Sequence, residues 1–359
     1  MGHKKFHEGQ KCGDNIDNII NLQRKIVPEL SNLLVERYKI LRQISHDEPI
    51  GRRALADKLK LSERVLRAQV DFLKDAGLLR FSTLGMSITE EGDVILKELL
   101  EYVRKLQDLS ILETMLIKKL HLEKVVIIPG DSDHDEVVKR EIGRAGARIL
   151  LKLLGDGKQH IVAVTGGTTV AAMAENVHGL EPNTIVVPAR GGLGDNIELQ
   201  ANTIATVLAG RLKAKYRQLY VPDSVSSDIL NSILAEDAGV KSVVETIKNA
   251  DILVHGMGQA EVMAKRRGLA NSDLTKLRAG GAIGEAIGQY CDIKGKIVYV
   301  TDNVGLMMND LKRIHTVMGM AGGKSKAAAI LAIMRAANQN ILITDEAAAR
   351  EIVLMLNNA

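Results

Sequence analysis

The fold of this chain is decided by the stretch Ile161-Val162-Ala163-Val164-Thr165-Gly166-Gly167-Thr168-Thr169, which runs directly into Val170-Ala171-Ala172-Met173-Ala174-Glu175. The short β-branched run predicts a buried parallel strand, and the alanine-rich run predicts a helix. The two glycines between them allow a tight turn. Such a turn aims unpaired N–H groups and the positive end of a helix dipole at one point, which suits an anion. An ordinary strand–helix turn without a ligand has the same pattern, so this stretch alone does not decide the function.

Around this stretch, strands and helices alternate from residue 124 to the C-terminus. The alternation predicts a doubly wound, Rossmann-like α/β domain with a mostly parallel sheet. The predicted strands are Val125–Ile128, Ile161–Thr165, Ile185–Pro188, Leu219–Val221, Ile252–His255, Ile297–Thr301, His315–Met320 and Ile341–Thr344. Ligands of such domains lie beyond the carboxyl ends of the strands.

Three more glycine turns follow predicted strands. They are Pro188-Ala189-Arg190-Gly191-Gly192-Leu193-Gly194, His255-Gly256-Met257-Gly258-Gln259-Ala260 and Ala321-Gly322-Gly323-Lys324-Ser325-Lys326. The first carries an arginine, and the last carries two lysines at the start of a helix. Each could be an ordinary turn, yet four glycine turns at strand ends, two of them with cations, predict a site for a phosphorylated small molecule.

Length and composition place the chain among globular proteins of two domains. At 359 residues, with 46% hydrophobic and 26% charged residues, it is long enough for a substantial core. No apolar run approaches the roughly 18 residues that a membrane span needs, and the polar N-terminus does not resemble a signal peptide. Only Cys12 and Cys291 occur, too few for a disulfide framework. We therefore expect a cytoplasmic protein without a membrane partner.

Residues 29–89 have the pattern of a winged helix-turn-helix. Apolar residues recur at helical spacing from Glu29 to His46, and Glu48-Pro49-Ile50-Gly51 ends that helix. A short amphipathic segment leads to Ser62, a suitable N-cap for the next helix. That helix is expected to bury Val65, Leu66, Val70 and Leu73. A hairpin around Leu84-Gly85 completes the order, and in such domains the Ser62-capped helix enters the DNA major groove.

The charge distribution supports DNA binding. Residues 51–80 hold eight basic and four acidic residues, so this segment alone carries the net charge of +4 of the whole chain. Arg64 and Arg67 stand one turn apart, opposite the apolar face. The predicted DNA contacts are Arg52, Arg53, Ser62, Arg64, Arg67 and Arg80. A solvated helix face or a protein-interaction module remains the alternative.

Residues 90–121 predict a helical linker that dimerises the protein. Leucine and tyrosine recur there at alternating spacings of three and four, as in a coiled-coil seam, with Glu113 the one polar residue in the series. The seam residues are Leu99, Tyr102, Leu106, Leu109, Leu116 and Leu120. A helix packed against its own domain is the alternative. Because a winged helix that reads a two-fold operator needs a partner, we favour a homodimer or homotetramer. Residues 1–28 are expected to be a flexible segment, and residues 122–359 form the effector-binding domain.

The motifs that suggest a nucleotide-binding or metal-binding site do not have the residue spacing that such sites require. Gly323-Lys324-Ser325 resembles a Walker loop, but the opening glycine would have to stand where Met318 is. Asp131, Asp133 and Asp135 begin like a calcium loop that lacks its glycine and closing carboxylate. The nine histidines show no ligand spacing. We therefore predict no catalytic residue, no metal site and no cofactor.

The combination of motifs resembles the SorC/DeoR-type sugar-binding transcriptional regulators of bacteria. The resemblance rests on the helix-turn-helix joined to Thr165-Gly166-Gly167-Thr168-Thr169, Pro188–Gly194 and Ala321-Gly322-Gly323. Within the family it is closest to repressors of glycolytic genes, which share Glu48–Arg53, Leu61–Arg67 and Val254-His255-Gly256. The resemblance runs from about Glu29 to the C-terminus, and each motif is weak although the combination is specific.

This resemblance implies an effector domain similar to sugar-phosphate isomerases and deaminases, with fructose-1,6-bisphosphate as the inducer. The effector contacts that it implies are Thr168, Thr169, Arg190, Gln200, Arg266, Glu285 and Lys326, to which the glycine turns add Gly167 and Gly191. Arginine and lysine would neutralise two phosphates, whereas Glu285 and Gln200 would bond sugar hydroxyls. An intramolecular ion pair is the alternative for Glu285, and a surface helix position is the alternative for Gln200.

Three functions follow, of which a metabolite-responsive repressor is favoured. The deaminases carry Asp-Gly-His after their Gly-x-Gly turn, whereas this chain has Gln259-Ala260-Glu261. Because sugar isomerisation needs positioned proton-transfer groups, an isomerase or deaminase with an appended helix-turn-helix is the weaker alternative. An interaction scaffold without DNA or ligand is the third, and the basic helix argues against it.

Overall fold

The structure is a computed structural model that describes residues 19–20, 22–192, 196–222, 227–301 and 304–358. It divides into two compact units, one ending at Ile111 and the other beginning at Leu112. This division falls inside the predicted linker of residues 90–121. Most of the segment 1–28, which was expected to be flexible, lies outside the described residues.

The N-terminal unit contains the predicted winged helix-turn-helix. Its elements are α1 (Pro28–Asp47), α2 (Arg52–Leu59), α3 (Glu63–Asp75), β1 (Leu79–Ser82), β2 (Gly85–Ile88) and α4 (Glu90–Leu106). β1 and β2 form the antiparallel hairpin, and Ile50 pairs with Met86 as a bridge beside it. The turn between α2 and α3 ends α2 with Lys60 in the left-handed conformation, at φ 54°.

The core of this unit is apolar and draws on every helix. α3 contributes Leu66, Val70 and Leu73, which repeat at the spacing of one helix face. Val65 was expected in this core and is instead exposed. Its position is one residue from Leu66, a rotation of about 100° around the helix, which takes its side chain out of the apolar face.

The leucine pattern of the linker region suggested one continuous helix, but the region forms two helices. α4 ends at Leu106 and α5 (Leu109–Leu120) follows, with Asp108 between them in the left-handed conformation at φ 54°. Leu99 packs against the winged-helix core, and Leu106 is only 8% exposed within its own chain. A single seam from residue 99 to residue 120 is therefore not formed, because the break at Asp108 interrupts the helical register.

The described part of the N-terminal segment includes a short helical stretch. Residues 22–26 are helical, and Arg24 forms two hydrogen bonds with the Asp108 carboxylate, at 2.7 and 2.9 Å. Gln23 accepts a hydrogen bond from the Tyr102 hydroxyl. These contacts attach the segment to the end of α4 and to the turn after it.

The C-terminal unit is the predicted doubly wound α/β domain. The strands of its main sheet are β3 (Lys124–Ile128), β4 (Ile161–Val164), β5 (Ile185–Pro188), β6 (Lys215–Tyr216), β7 (Ile252–Gly256), β12 (Thr316–Met320) and β13 (Ile341–Asp345). All neighbouring strands are parallel, in the order β3-β13-β12-β7-β4-β5-β6. From β4 the chain proceeds through β5 and β6 to one edge of the sheet, and from β7 it proceeds through β12 and β13 toward the other edge. The switch point of the sheet is therefore at the carboxyl ends of β4 and β7.

Helices cover the sheet and bury an apolar core. They are α6 (Glu136–Leu154), α7 (Thr168–Glu175), α8 (Ala201–Leu212), α9 (Ser227–Glu236), α10 (Ala238–Lys248), α11 (Ala260–Arg266), α12 (Asn271–Ala279), α13 (Ala327–Ala336) and α14 (Glu346–Asn357). The largest core cluster packs α6, α7 and α8 against the strands. Because the sheet is buried on both faces, the sequences of its strands are continuous apolar runs.

Two strand predictions were wrong in placement. Ile297–Thr301 forms a strand, β11 (Ile297–Val300), but it belongs to a separate antiparallel sheet with β8 (Gly258–Gln259), β9 (Gly284–Ala286) and β10 (Gln289–Cys291). Residues 219–221 form no named strand, since the edge position is taken by β6. Strands of two or three residues carry no detectable periodicity, so the small sheet could not be read from the sequence.

Within the described ranges, every helix is either too short or too polar to cross a lipid bilayer.

Candidate functional site

The glycine turn after β4 is built for close backbone approach. Gly167 has φ 119°, a conformation that favours glycine, and its N–H donates to the carbonyl of Leu199 at 3.0 Å. A Cβ on Gly166 would lie 2.5 Å from the same carbonyl oxygen. Both glycines are therefore required for the turn to close against the loop before α8. α7 begins at Thr168 without a side-chain cap, so its first N–H groups are left for a ligand.

The glycine turns after β4 and β7 meet, as their positions in the sheet predict. The Thr165 hydroxyl accepts a hydrogen bond from the Gly256 N–H at 3.1 Å and donates to the Gly166 carbonyl at 3.1 Å. β4 and β7 are neighbours, so their carboxyl ends reach the same point. The switch point of the sheet is thus lined by glycine backbone.

All effector-contact residues predicted from the sequence line one cavity at this point, with a volume of about 450 Å³. They are Gly167, Thr168, Thr169, Arg190, Gly191, Gln200, Arg266, Glu285 and Lys326. The cavity is within the range of about 300–1,000 Å³ that holds small molecules in proteins. Part of the turn Pro188–Gly194 lies outside the described residues, which resume at Asn196.

A buried ion-pair cluster forms one wall of the cavity. Glu285 Oε1 lies 2.7 Å from Arg267 Nη2 and 3.7 Å from Arg190 Nη1. The three side chains are 4%, 7% and 6% exposed, respectively. Oε1 also accepts the Gly288 N–H at 2.7 Å. The intramolecular ion pair considered for Glu285 is therefore formed, and Arg190 is engaged with it rather than with solvent.

Gly288 makes room for this cluster. Its φ is +77°, and a Cβ there would lie 2.2 Å from Arg190 Nη1. The guanidinium group of Arg190 can lie against the backbone only because this residue has no side chain. The other Arg190 terminal nitrogen, Nη2, donates to the Thr301 hydroxyl at 3.4 Å.

Lys326 and Arg266 supply a second group of cations. Burial is the main cause that lowers the pKa of Lys326, and nearby Lys139 and Arg266 lower it further. Neither Lys326 nor Arg266 forms a side-chain hydrogen bond or ion pair with a described residue. A bound anion would relieve the repulsion between them.

The turn that carries Lys326 already holds a carboxylate. Asp133 accepts hydrogen bonds from the Ser325 N–H at 2.7 Å and from the Ser325 hydroxyl at 2.9 Å. This occupies the start of the short 3₁₀ turn before α13, one of the four glycine turns from which the sequence predicted a site for a phosphorylated small molecule. Lys324 pairs with Glu351 at 3.4 Å and does not line the cavity. Of the two lysines in this turn, Lys326 is the one that reaches the cavity.

Sequence reasoning missed several cavity residues. The most important of them is Arg267. The family resemblance assigned an effector contact to its neighbour Arg266, and the local sequence does not distinguish the two arginines. Gln259 also lines the cavity and donates to the Ser325 carbonyl at 2.5 Å, which links β8 to the turn of Lys326. Pairings of this kind join residues distant in sequence and leave no spacing pattern.

A wider cleft, of about 660 Å³, lies within the N-terminal unit. Its walls include Val35, Leu59, Leu61 and Leu106, and none of the glycine turns reaches it. Its volume exceeds that of the effector cavity, but it lacks the convergence of glycine backbone and cations that identifies an anion site. Among the described residues, no group of three or more His, Cys, Asp or Glu is arranged to hold a metal ion.

The candidate DNA-binding face lies on α2, α3 and the hairpin. Ser62 caps α3 as predicted, accepting a hydrogen bond from the Val65 N–H at 3.3 Å. The other predicted contacts are all exposed: Arg52, Arg53, Arg64, Arg67 and Arg80. On α3, Arg64 lies opposite the buried residues Leu66, Val70 and Leu73, and Arg67 lies at the edge of that buried face.

Arg52 and Arg53 occupy the first turn of α2, where a cation opposes the helix dipole. Arg52 is held near the Phe81 ring of β1, with its guanidinium carbon 5.4 Å from the ring centre. Lys74 lies 5.1 Å from the same ring. The three side chains link α2, α3 and the hairpin.

Comparison with known proteins finds a matching family for each of two long segments of the chain. Residues 33–103 match the family described as the CggR N-terminal DNA-binding domain, and residues 104–354 match a family described as a sugar-binding domain. The chain belongs to the SorC family of sugar-binding transcriptional regulators.

Named relatives span nearly the full length of the regulator. It is 44% identical over 342 residues to the central glycolytic genes regulator of Priestia megaterium, covering 95% of this chain and 99% of the relative. The protein of the same name from Bacillus subtilis is 41% identical over 340 residues, covering 94% and 99%.

Solved structures place the regulator with the same family. A SorC-family transcriptional regulator from Enterococcus faecalis is 37% identical with a TM-score of 0.63, covering 67% of this chain and 99% of that one. The full-length sorbitol operon regulator SorC from Klebsiella pneumoniae covers 90% of this chain and 98% of its own, with a TM-score of 0.62. Its identity of 20% supports the fold alone.

The regulator is not an isomerase or a deaminase, since these relatives and neighbours are transcriptional regulators. The geometry gives a physical reason. Glu261, the one acidic residue in the segment that replaces the deaminase motif, pairs with Arg278 at 2.5 Å and with Lys265 at 3.1 Å. These two cations lower its pKa, and its side chain does not line the cavity.

Proposed function

We propose that this regulator represses glycolytic genes by binding operator DNA as a homodimer or homotetramer in the cytoplasm, and that fructose-1,6-bisphosphate releases it. The observation that carries the proposal is the charge of the cavity. Arg190, Arg266, Arg267 and Lys326 line it against one described carboxylate, that of Glu285, so these side chains have a net charge of +3.

A sugar with two phosphates matches that charge better than one with a single phosphate. Each phosphate monoester carries about −1.5 to −2 at neutral pH, so a bisphosphate brings about −3 to −4. The cations are divided between the Arg190–Glu285–Arg267 cluster and the Arg266–Lys326 pair. The uncapped start of α7 at Thr168 adds backbone donors between them. Hydroxyl groups of the sugar would find partners in Gln200 and Glu285.

The names of the two relatives that match over most of the chain support glycolytic genes as the genes that this protein regulates. Both are called central glycolytic genes regulators, and they match 95% and 94% of this chain at 44% and 41% identity. A metabolite of the pathway is a suitable signal for such genes. The exposed arginines of α2 and α3 are the groups that would bind the operator.

A ligand shifts an equilibrium only by its different affinity for two states. We infer that the bisphosphate favours an arrangement of the oligomer in which the two recognition helices no longer match the half-site spacing of the operator. Loss of cooperative operator binding would then release the regulator from DNA.

Two titrations test the proposal. Calorimetry compares fructose-1,6-bisphosphate with fructose 6-phosphate, glucose 6-phosphate and inorganic phosphate. Gel-shift titration then uses a duplex that the protein itself selects from a random pool, at constant salt, with and without each sugar. We expect the bisphosphate to bind at least tenfold more tightly than either monophosphate, and to weaken binding to the selected duplex. Equal affinity for the monophosphates, or tighter DNA binding with the bisphosphate, would overturn it.

A further inference from the structure

The turn that carries Lys326 into the cavity is short. It is the 3₁₀ turn Lys324–Lys326 between β12 and α13, and Gly323 before it has φ 101°. The Lys326 N–H donates to the Gly323 carbonyl at 3.0 Å. Because hydrogen-bond geometry in such a turn is poor, contacts from other segments decide the direction of the Lys326 side chain.

Side chains from two distant segments hold Ser325, the residue before Lys326. The Asp133 carboxylate accepts the Ser325 N–H through Oδ2 at 2.7 Å and the Ser325 hydroxyl through Oδ1 at 2.9 Å. From β8, the Gln259 amide donates to the Ser325 carbonyl at 2.5 Å. All three polar groups of Ser325 are therefore engaged. The two bonds to Asp133 are the stronger ones, because their acceptor is charged.

The loop that carries Asp133, between β3 and α6, is tied to the same turn. Asp345 is fully buried, and its Oδ2 accepts the Ser132 N–H at 2.8 Å and the Gly323 N–H at 2.7 Å. Asp133 also lies so close to Gly323 that a Cβ on this glycine would be 2.2 Å from Oδ1. The loop and the turn are thus packed together, which holds Asp133 against Ser325.

Asp133 and Ser325 do not line the cavity, whereas Lys326 does. A change at Asp133 therefore reaches a ligand through the turn and not by contact. Lysine has a flexible four-carbon stem, so its ammonium group depends on supporting contacts to stay in position for a ligand. Burial and neighbouring cations lower the pKa of Lys326, and the charge of Asp133 opposes them.

We propose that Asp133 is a positioning residue for the effector: by holding Ser325 from outside the cavity, it aims the Lys326 ammonium group at a bound phosphate. Asp133 itself makes no contact with the ligand. The proposal rests on the proposed function, because it takes a phosphorylated sugar as the ligand of this cavity.

Calorimetric titration with fructose-1,6-bisphosphate compares three variants with the unmodified protein. Asp133→Ala should lower the affinity about tenfold, the worth of a charged hydrogen bond that Lys326 no longer forms well. Asp133→Asn keeps an oxygen that accepts the Ser325 N–H, so its affinity should stay within about threefold of the unmodified protein. Glu351→Ala is the matched control. Glu351 pairs with Lys324 in the same turn, so its loss should leave the affinity unchanged.

A double-mutant cycle shows whether Asp133 acts through Lys326. In a Lys326→Ala background, Asp133→Ala should change the affinity by less than about twofold. Asp133 is exposed, so its removal leaves the core intact. Ser325→Ala removes one of the two bonds from the other partner, and it should weaken binding in the same direction if Asp133→Ala fails to fold.

Three results would overturn the inference. Tighter binding by Asp133→Ala would mean that this carboxylate competes with the phosphate for Ser325. Equal losses from Asp133→Ala in both backgrounds would mean that it does not act through Lys326. An equal loss in Asp133→Asn and Asp133→Ala would assign the effect to charge alone.

The same variants are titrated with inorganic phosphate, which separates this inference from the proposed function. If the unmodified protein binds phosphate but not the sugar, the proposed effector is wrong and the phosphate titrations decide the role of Asp133. If it binds neither, the proposed function and this inference both fail.

Discussion

Lys326 lies partly buried beside Lys139 and Arg266, and no described residue neutralises it through a hydrogen bond or ion pair. The charges of Asp133 and Asp345 oppose the effect of these cations, but burial and the cations outweigh them, so the pKa of Lys326 is lowered. Single residues of this kind indicate a binding site even when the cavity holds no ligand.

Lys326→Ala should weaken fructose-1,6-bisphosphate binding by about 10–100-fold, because it removes a charged hydrogen-bond partner. Binding to operator DNA without the sugar should be unchanged, so the variant represses and is not induced. Lys324→Ala is the matched control, since Lys324 stands in the same turn and does not line the cavity. Calorimetry and gel-shift titration measure the two affinities. If Lys326→Ala loses operator binding with no sugar present, this turn supports the oligomer instead.

The affinity for the bisphosphate should also fall as pH rises toward the alkaline range. Burial and neighbouring cations lower the pKa of Lys326 in the free protein, whereas a bound phosphate raises it. Binding therefore takes up a proton once pH exceeds the lowered pKa, and affinity declines at a lower pH than an ordinary lysine would cause. Calorimetry at increasing pH checks this. The same decline in Lys326→Met would assign it to another group.

Arg67→Ala should weaken specific DNA binding by about 1–3 kcal/mol without changing the fold. Arg67 is exposed on α3, and the core of that helix does not use it. Lys97→Ala, at an exposed position on α4, is the control for loss of one positive charge. The measurement is a gel-shift titration at constant salt. Unchanged affinity would remove α3 from the DNA interface.

Among the secondary-structure elements, the break between α4 and α5 prevents the regularly spaced leucines from forming one continuous helix face. Regular spacing identified the apolar positions. Asp108, in the left-handed conformation, breaks the helix between them. Leu99 before the break packs against the winged-helix core, and Leu109 and Leu116 after it are buried within the chain. The contacts of Arg24 with Asp108 hold the turn in place.

Leu106→Lys should therefore destabilise the N-terminal unit by about 2–5 kcal/mol, because it buries a charge where an apolar side chain was packed. Ile111→Lys is the matched control, since Ile111 is 60% exposed close by. Thermal unfolding should show a lowered Tm for the first variant and little change for the second. If Leu106→Lys keeps its Tm and only loosens self-association in sedimentation, the leucines join two chains after all.

At the scale of the whole molecule, one chain combines a DNA-binding unit with an effector-binding unit. The two binding equilibria must be linked if the sugar releases the DNA. Linkage is reciprocal: operator DNA lowers the affinity for the sugar by the same factor as the sugar lowers the affinity for DNA.

Calorimetric titration of the bisphosphate into the protein–operator complex should thus give an affinity about 5–150-fold weaker than titration into free protein, the usual range for coupled sites. A duplex of equal length and scrambled sequence serves as control at the same salt concentration. Equal sugar affinity with and without operator would mean that the sugar does not regulate DNA binding.

The local features of both sites could be predicted from the sequence. Ser62 caps α3 and Gly166-Gly167 turns into α7 because capping and backbone freedom depend on residues within a few positions. The parallel order of the main sheet followed from alternating strand and helix patterns. These patterns also placed the glycine turns at one edge, since parallel strands end on the same side.

Tertiary structure alone decided which charges meet. Glu285 reaches Arg267 from 18 residues away and Ser325 reaches Asp133 from 192 residues away, and no spacing rule predicts such pairs. The small sheet that carries Glu285 has strands too short to show a period. The sequence by itself therefore determined a helix-turn-helix and a set of glycine turns that line one cavity. Only long-range packing decided that Arg190 and Arg267 pair with Glu285, whereas Arg266 and Lys326 form no side-chain hydrogen bond or ion pair with a described residue.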